Sequence, residues 1–191
     1  MSNLPDIDID FADRNSVLEL FDHIPASIVK DNNTTKHNTG VYFHSIPINP
    51  YTNTASIDYK VAEQRGYFKL DLLNVSVYQN ITSREHLHTL MNTEPPWHRL
   101  WQEQEFCEKV VHIGNYHRTI CEMKPNSVER MAAFISIIRP GKAHLQGKTW
   151  QQVFDSVWDG DSSQGYTFKK SHAISYALLV KVHMNLIDSL D

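Results

Sequence analysis

Three aspartates alternate with apolar residues close to the N-terminus. Residues 6–11 read DIDIDF, and on a β-strand this spacing places Asp6, Asp8 and Asp10 on one face. Aspartate is a poor strand former, and like charges along one face repel, so the pattern is unfavourable unless a cation neutralises it. Mg²⁺ selects carboxylate oxygens, so the spacing indicates a metal site. The alternative is a solvated acidic segment that happens to alternate.

A fourth aspartate, Asp71, lies within residues 67–75, which are rich in apolar residues. A buried carboxylate needs a cation or hydrogen bonds to offset the cost of leaving water. Asp71 can therefore complete a two-metal site with the N-terminal acids, in which paired ions activate an attacking oxygen and stabilise a leaving one. The alternative is a structural salt bridge with Lys69, which lies two residues away on the same strand face.

The first half of the chain must position these acids, and its pattern is rich in strands. It predicts a strand over 6–11, a helix over 13–30 that is interrupted near Pro25, a polar loop over 31–40, a strand over 41–48, a short helix between Asp58 and Gly66, and a strand over 67–75.

The second half of the chain is helical. A capping-box-like start at Asn126 and an apolar stripe predict a helix that ends at 139–141, and further helices follow over 150–158 and from Ser171. The longest of these has Ser171 as its expected N-cap and Ile174, Leu178, Val182 and Leu186 as its apolar positions. We expect an α+β fold in which residues 1–80 and 81–191 pack as one compact unit.

Composition excludes several classes of protein. The 191 residues contain no apolar run of membrane-spanning length, and the N-terminus lacks the features of a signal peptide, so we expect a cytoplasmic protein without a membrane partner. The two cysteines form no CxxC pair, which argues against a disulfide framework. The net charge of −4 counts against simple nucleic-acid binding, although two bound divalent cations would neutralise it.

Basic residues in two regions are candidates for binding phosphate. Lys36 and His37 lie in the predicted loop, and Arg139 lies at a predicted helix end. Exposed backbone N–H groups, the helix dipole and neighbouring lysines favour an anion at the start of the last helix. The residues around that start are Lys169, Lys170, Ser171 and His172. The alternatives are ordinary loop residues and a plain helix cap with solvated lysines.

Several segments resemble the bacterial C-family replicative DNA polymerases, the DNA polymerase III alpha subunits. Residues 4–11 (LPDIDIDF) resemble the PDxDxDF signature. Further segments follow in the family's order: 36–41 (KHNTGV) resembles KHAGGV, 57–73 (IDYKVAEQRGYFKLDLL) resembles FDxxxVExxGLVKFDFLG, 124–141 resembles the helix that ends in FRPG, and 165–178 (GYTFKKSHAISYAL) resembles GYGFNKSHSAAYAL.

This resemblance implies a nucleotidyltransferase-like palm with a mixed sheet, joined to a reduced helical lobe that corresponds to the fingers. The implied catalytic acids are Asp6, Asp8 and Asp71, with Asp10 as a further acid of the metal site and two Mg²⁺ ions, or Mn²⁺, as cofactors. The implied reaction is transfer of a nucleotide from a dNTP to a primer 3′-hydroxyl on a DNA template. Lys36, His37, Arg139, Lys169, Lys170, Ser171 and His172 would contact DNA or nucleotide phosphates.

The chain is far shorter than members of that family. We find no match to the LRRAMGKK segment in these 191 residues and expect no room in them for a PHP domain, and residues 11–35 leave no room for the thumb. We therefore expect an accessory replication protein to supply the DNA contacts that the thumb would make. We also expect a phage or mobile-element gene as the source. Two alternatives stay open: a non-catalytic polymerase mimic that binds DNA or replisome partners, and a nucleotidyltransferase that acts on RNA or a small acceptor.

Overall fold

A mixed sheet and a group of helices occupy separate halves of the chain. The structure, a computed structural model, describes residues 7–31, 33–159 and 168–190. It divides into two units, residues 1–80 and 81–191, which we call the sheet unit and the helical unit. The α+β class and the mixed sheet that the sequence predicts are confirmed.

The sheet unit is built on four strands in the order β1-β6-β3-β2. Strands β1 and β6 are parallel, while β3 is antiparallel to both β6 and β2. The elements of this unit are β1 (Ile7–Phe11), α1 (Arg14–Leu18), β2 (Ile24–Lys30), β3 (Asn33–Tyr42), β4 (Ile48–Asn49), β5 (Thr54–Ala55), α2 (Tyr59–Gln64), β6 (Leu70–Asn74) and a 3₁₀ turn (Ser76–Asn80). Strands β4 and β5 form a separate two-stranded sheet.

The alternation in β1 has the expected structural effect. Ile9 and Phe11 pack against a buried cluster of Leu18, Val41 and Leu72, and Asp8 and Asp10 are exposed. The apolar side chains dock the strand on the core, so the acids are directed away from it.

The predicted helix over 13–30 is wrong beyond its first turn. Asp13 caps α1 through a hydrogen bond from the Asn15 backbone N–H, but the chain then enters β2 at Ile24. Pro25 cannot continue a helix, and the β-branched residues Ile28 and Val29 suit a strand that pairs with β3.

The predicted loop over 31–40 is also wrong, because most of it belongs to strand β3. The segment is polar, so its composition indicated a loop and not a strand. Residues 33–36 pair with β2 and are mostly exposed, and burial begins only at Gly40. The strand predicted over 41–48 ends at Tyr42.

Helix α2 begins as predicted. The Asp58 carboxylate accepts hydrogen bonds from the backbone N–H groups of Lys60 at 2.9 Å and of Val29 at 2.8 Å. Gly66, with φ of +84°, follows the end of the helix in the conformation that favours glycine.

The helical unit contains one large apolar core. Its elements are α3 (Arg84–Asn92), α4 (Arg99–Gln102), α5 (Gln104–Lys109), α6 (His117–Met123), α7 (Val128–Ile137), α8 (Trp150–Ser156) and α9 (Lys170–Asp188), with 3₁₀ turns at Gly114–Tyr116 and Pro140–Leu145. Helix α7 is buried from Met131 to Ile137 and packs on α9. Within the residues described, no helix has the length and apolarity to cross a membrane.

The helix boundaries in this unit correct three details. The cap of α7 is Ser127, which accepts from the Arg130 N–H, and not Asn126. The first residues of α9 follow Lys169, so Ser171 lies inside the helix and does not cap it. The buried stripe of α9 contains Ala173 and Ala177, whereas Ile174 is 39% exposed.

Candidate active site

Two aspartates that are distant in sequence lie side by side in the sheet. Asp8 on β1 is the register partner of Asp71 on the parallel strand β6. Neighbouring strands lie about 4.8 Å apart, and register partners in a parallel pair project from the same face. The sheet therefore places together two of the acids that the family resemblance selects, with Asp10 two residues further along that face.

Asp71 is the buried member of this pair, with 8% of its surface exposed. Its Oδ1 accepts a hydrogen bond from the Thr39 hydroxyl at 2.7 Å. Its Oδ2 accepts one from the Lys69 ammonium. The salt bridge with Lys69, which the sequence offered as the alternative to metal binding, is present.

A bulge in β3 positions Thr39 against Asp71. Pro25 of β2 pairs with Val41, but Ser27 pairs with Lys36, so residues 37–40 stand opposite a single residue of β2. Gly40 then pairs with Asp71 on the other side of the strand. Bulges re-aim side chains, and here the extra residues bring Thr39 to the carboxylate.

The His37 ring stabilises this bulge. Its Nδ1 accepts hydrogen bonds from the backbone N–H groups of Gly40 at 2.9 Å and of Thr39 at 3.3 Å. Because Nδ1 accepts, the ring proton is on Nε2 and the ring is neutral, so the 3.7 Å approach of Nδ1 to Asp71 Oδ1 is not an ion pair.

The electrostatic surroundings agree with a neutral His37. Burial lowers its pKa, Asp71 opposes that effect, and Lys69 and Arg14 add to it. The edge of the ring meets Tyr59, with centroids 5.0 Å apart. His37 therefore holds the bulge in shape and lies on a strand, not in the predicted loop; its role as a phosphate ligand stays a prediction.

Asp10 is exposed at the surface of β1, but neighbouring atoms desolvate part of its carboxyl group. Partial burial raises its pKa, and the nearby charge of Asp8 raises it further. Burial, and after it the charge of Asp10, raises the pKa of Tyr78. The repulsion between the two strand acids is the effect that a bound cation would relieve.

The donor chemistry of the site fits Mg²⁺ or Mn²⁺, because the acids offer only carboxylate oxygens. Asp8 and Asp71 would hold the ion, and Asp10 lies next along the strand. A cation on Asp71 Oδ2 would compete with the Lys69 ammonium, which already donates to that oxygen. Asp6 lies outside the described residues, and among those described no three His, Cys, Asp or Glu side chains converge into a metal-binding group.

Arg14 adds positive charge to the same region. Its Nη2 donates to the Thr39 carbonyl at 3.3 Å, and its backbone N–H donates to the Asn74 side chain at 2.9 Å. Its Nε is buried without a hydrogen-bond partner. Lys36, in contrast, is exposed on β3 opposite Ser27.

The predicted phosphate-binding residues of the helical unit form their own group. The Arg139 guanidinium lies 5.2 Å from the centroid of the Phe168 ring, and the His172 ring lies 6.1 Å from the same ring, edge to face. The Lys170 ammonium lies 5.7 Å from the Trp158 ring centroid. Aromatic rings thus lie beside all three of these side chains near the start of α9.

Two of the remaining predicted residues are exposed at that helix start. Lys169 is the N-cap residue and makes no side-chain cap hydrogen bond. Ser171 is exposed in the first turn, where its carbonyl accepts from the Ser175 hydroxyl. Residues 165–167 of the matching motif lie outside the described residues.

Sequence reasoning missed the contribution of Thr39, Gly40 and Tyr59. For the first two, the comparison with the family segment KHAGGV was the available signal. That segment has glycine where this chain has Thr39, and it also has glycine at the position of Gly40. The role of Tyr59 carried no such signal, since its ring reaches His37 only through the packing of α2.

Protein-family models, curated protein sequences and solved structures were each compared with this chain, and none matches it. The resemblance to C-family polymerases therefore stays a prediction that rests on the motifs and their order.

Proposed function

We propose that this protein is a minimal nucleotidyltransferase of the C-family polymerase type, which extends a primer 3′-hydroxyl from a dNTP on a DNA template. The observation that carries the proposal is the register of β1 and β6, which sets Asp8 beside Asp71. In this interpretation the sheet unit is the palm and the helical unit is a reduced fingers-like lobe.

The chain's own residues have distinct roles in this reaction. Asp8 and Asp71, with Asp6, would hold the metal ions and so position the reacting groups, while Thr39 donates a hydrogen bond that orients the Asp71 carboxylate. Bound Mg²⁺ would favour ionisation of the primer hydroxyl and stabilise the departing pyrophosphate. The 3′-oxygen forms a bond to the α-phosphorus as the bond to the pyrophosphate oxygen breaks.

The helical unit carries basic residues that would contact DNA or nucleotide phosphates. Arg139, Lys170 and His172 are the proposed contacts, and their aromatic neighbours restrict their side chains before substrate binds. Catalysis of phosphoryl transfer depends mainly on such positioning and electrostatics. An accessory protein would replace the thumb, and the gene would come from a phage or mobile element and act in the host cytoplasm.

The test is extension of a labelled primer on a primed template with dNTPs and Mg²⁺, for native protein, Asp8→Ala and Asp22→Ala. Asp22 is an exposed acid of the same unit and serves as the matched control. We expect Asp8→Ala to lose activity by about 10³-fold or more, since it removes transition-state charge stabilisation. Asp22→Ala should retain native activity. Equal activity in all three proteins would contradict the proposal.

The second candidate is a non-catalytic mimic that binds DNA or replisome partners. The Lys69–Asp71 ion pair favours it, because the buried carboxylate is already neutralised without a metal. Folded protein that extends no primer with Mg²⁺ or Mn²⁺, with dNTPs or rNTPs, and still retains primer-template DNA would support this candidate. Extension with rNTPs alone would instead indicate a nucleotidyltransferase with an RNA product.

A further inference from the structure

The Lys69 ammonium occupies the place at Asp71 where a metal ion would bind. It contacts Oδ2, while the Thr39 hydroxyl contacts Oδ1 at 2.7 Å. The side chains of Lys69 and Asp71 are 15% and 11% exposed, so water compensates little of either charge. The carboxylate therefore has a built-in counterion.

The lysine reaches Asp71 through a space that Gly40 leaves open. A Cβ on Gly40 would lie 2.7 Å from Lys69 Cδ, 3.0 Å from His37 Nδ1 and 3.1 Å from Ala26 Cβ. A Cβ so close to Lys69 Cδ would require the lysine chain to shift. Gly40 is thus needed for the lysine's position, since its backbone is not in the left-handed conformation that would otherwise favour glycine.

The ring of Tyr59 flanks the end of the lysine, with Lys69 Nζ 5.8 Å from the ring centroid. Neighbouring basic groups are engaged elsewhere: Arg14 Nη2 donates to the Thr39 carbonyl, and His37 Nδ1 accepts backbone hydrogen bonds. Lys69 is therefore the cation that directly compensates Asp71 in the described part of the sheet unit.

We infer that Lys69 is an internal competitor for the divalent cation: it neutralises Asp71 when no metal is bound and leaves the carboxylate when a metal binds. This inference rests on the proposed function, because it requires a metal at Asp71. An ammonium and a divalent ion repel each other at contact distance, so each weakens the binding of the other to the same carboxylate oxygen. Metal binding and release of the lysine are then coupled, and each opposes the other.

The experiment measures Mn²⁺ affinity by electron paramagnetic resonance for native protein, Asp8→Asn, Lys69→Met and Lys60→Met. Lys60 is the matched control, because its Nζ is also 5.8 Å from the Tyr59 ring centroid but makes no contact with Asp71. We expect Lys69→Met to bind Mn²⁺ about tenfold more tightly than native protein, the size of a modest coupling free energy. Lys60→Met should bind as native protein does, and Asp8→Asn should bind more weakly.

A second variant and a measurement on native protein make the test independent of how Lys69→Met folds. Gly40→Ala keeps both charges but displaces the lysine, so it should also tighten Mn²⁺ binding. In native protein, acetylation of lysines by an N-hydroxysuccinimide ester, followed by mass spectrometry, should modify Lys69 several-fold faster once Mg²⁺ is added. Lys60 is the internal reference, and Asp8→Asn should suppress the change.

The outcomes separate the two hypotheses. Native Mn²⁺ binding that depends on Asp8, with unchanged or weaker affinity in Lys69→Met and Gly40→Ala, would overturn the competition and leave the proposed function standing. Absence of Mn²⁺ binding in native protein and in Lys69→Met would overturn both.

Discussion

The sheet unit and the helical unit compensate their buried charged side chains in different ways. In the helical unit, buried polar side chains donate to backbone carbonyls: Asn185 to Leu90 and Thr93, and Lys142 to Ser156. In the sheet unit, the buried carboxylate of Asp71 is compensated by the side chains of Lys69 and Thr39.

This difference separates fixed from exchangeable interactions. A backbone carbonyl at the end of a helix or in a turn offers one static acceptor, so its partner stabilises a single packing arrangement. A carboxylate held by a flexible ammonium can exchange that partner for another cation. The apolar cores of the two units differ as well. The helical unit has one extensive cluster of buried apolar side chains, and the sheet unit has smaller separate ones.

The largest effect on stability is expected from the helical core. Phe134 is fully buried in α7, and its replacement by alanine should lower the free energy of unfolding by about 3–5 kcal/mol because it leaves a cavity. Urea unfolding monitored by circular dichroism measures the loss. Ile174→Ala, at an exposed position of α9, is the control, with an expected loss below about 1 kcal/mol.

Mn²⁺ affinity measured on folded Phe134→Ala sharpens the comparison. It should equal that of native protein, because the core substitution touches no charge at Asp71. A parallel fall in metal affinity would show that the two kinds of buried interaction are not independent.

Removing the lysine from the sheet unit should cost less than removing Phe134. Lys69→Met leaves Asp71 buried and uncompensated, and we expect a loss of about 2–3 kcal/mol, below the value for a fully buried pair because both side chains keep some exposure. The double variant Lys69→Met/Asp71→Asn should lose less than the single variant, as chemical denaturation would measure.

Added Mn²⁺ should restore part of the stability of Lys69→Met, since a ligand that binds only the folded state stabilises it. Lys60→Met, with its exposed side chain, is expected to stay within about 0.5 kcal/mol of native protein. A double variant less stable than Lys69→Met would show that the carboxylate is useful even without its lysine.

The smallest effect is a pH dependence that arises in the helical unit. Burial, and after it the charges of Arg139 and His183, lowers the pKa of His112 to about 4. Folded protein keeps the ring neutral while the unfolded chain takes up a proton below its ordinary value of 6.5, so this stability is present above pH 6.5 and is lost as pH falls towards 4. Because the ring is partly exposed, we expect about 1–2 kcal/mol after screening.

The test compares urea unfolding at pH 7 and pH 4.5 for native protein and His112→Asn. Asparagine tolerates the positive φ of 67° at this position, and the variant should lose less stability than native protein on acidification. His144→Asn, at an exposed position, should behave as native protein does. Identical pH dependence in native protein and His112→Asn would exclude His112 as the source.

Several elements could be predicted from the sequence because their signals are local. The alternation of residues 6–11 predicts a strand, and the strand is observed from Ile7. Asp58 before α2 and the apolar stripe of α7 predict helices that are observed. Capping and periodicity depend on residues within a few positions of each other, so both can be recognised from the sequence alone.

Other elements could not be predicted because their signals are not local. Strand β3 is polar over much of its length, and only its pairing with β2 and β6 makes it a strand. Ser171 has a good capping side chain, but α9 begins at Lys170. These boundaries depend on which surfaces the rest of the chain covers.

For the candidate site, the sequence by itself identified the acids and their resemblance to a polymerase signature. It also indicated that either a metal ion or Lys69 would compensate Asp71. Only the tertiary structure decided that Asp8 and Asp71 are neighbours in the sheet, that a bulge brings Thr39 to the carboxylate, and that Gly40 opens the path for Lys69. The physical reason is that strand order and register join residues through hydrogen bonds between distant segments, whereas sequence patterns report the face and spacing of one segment at a time.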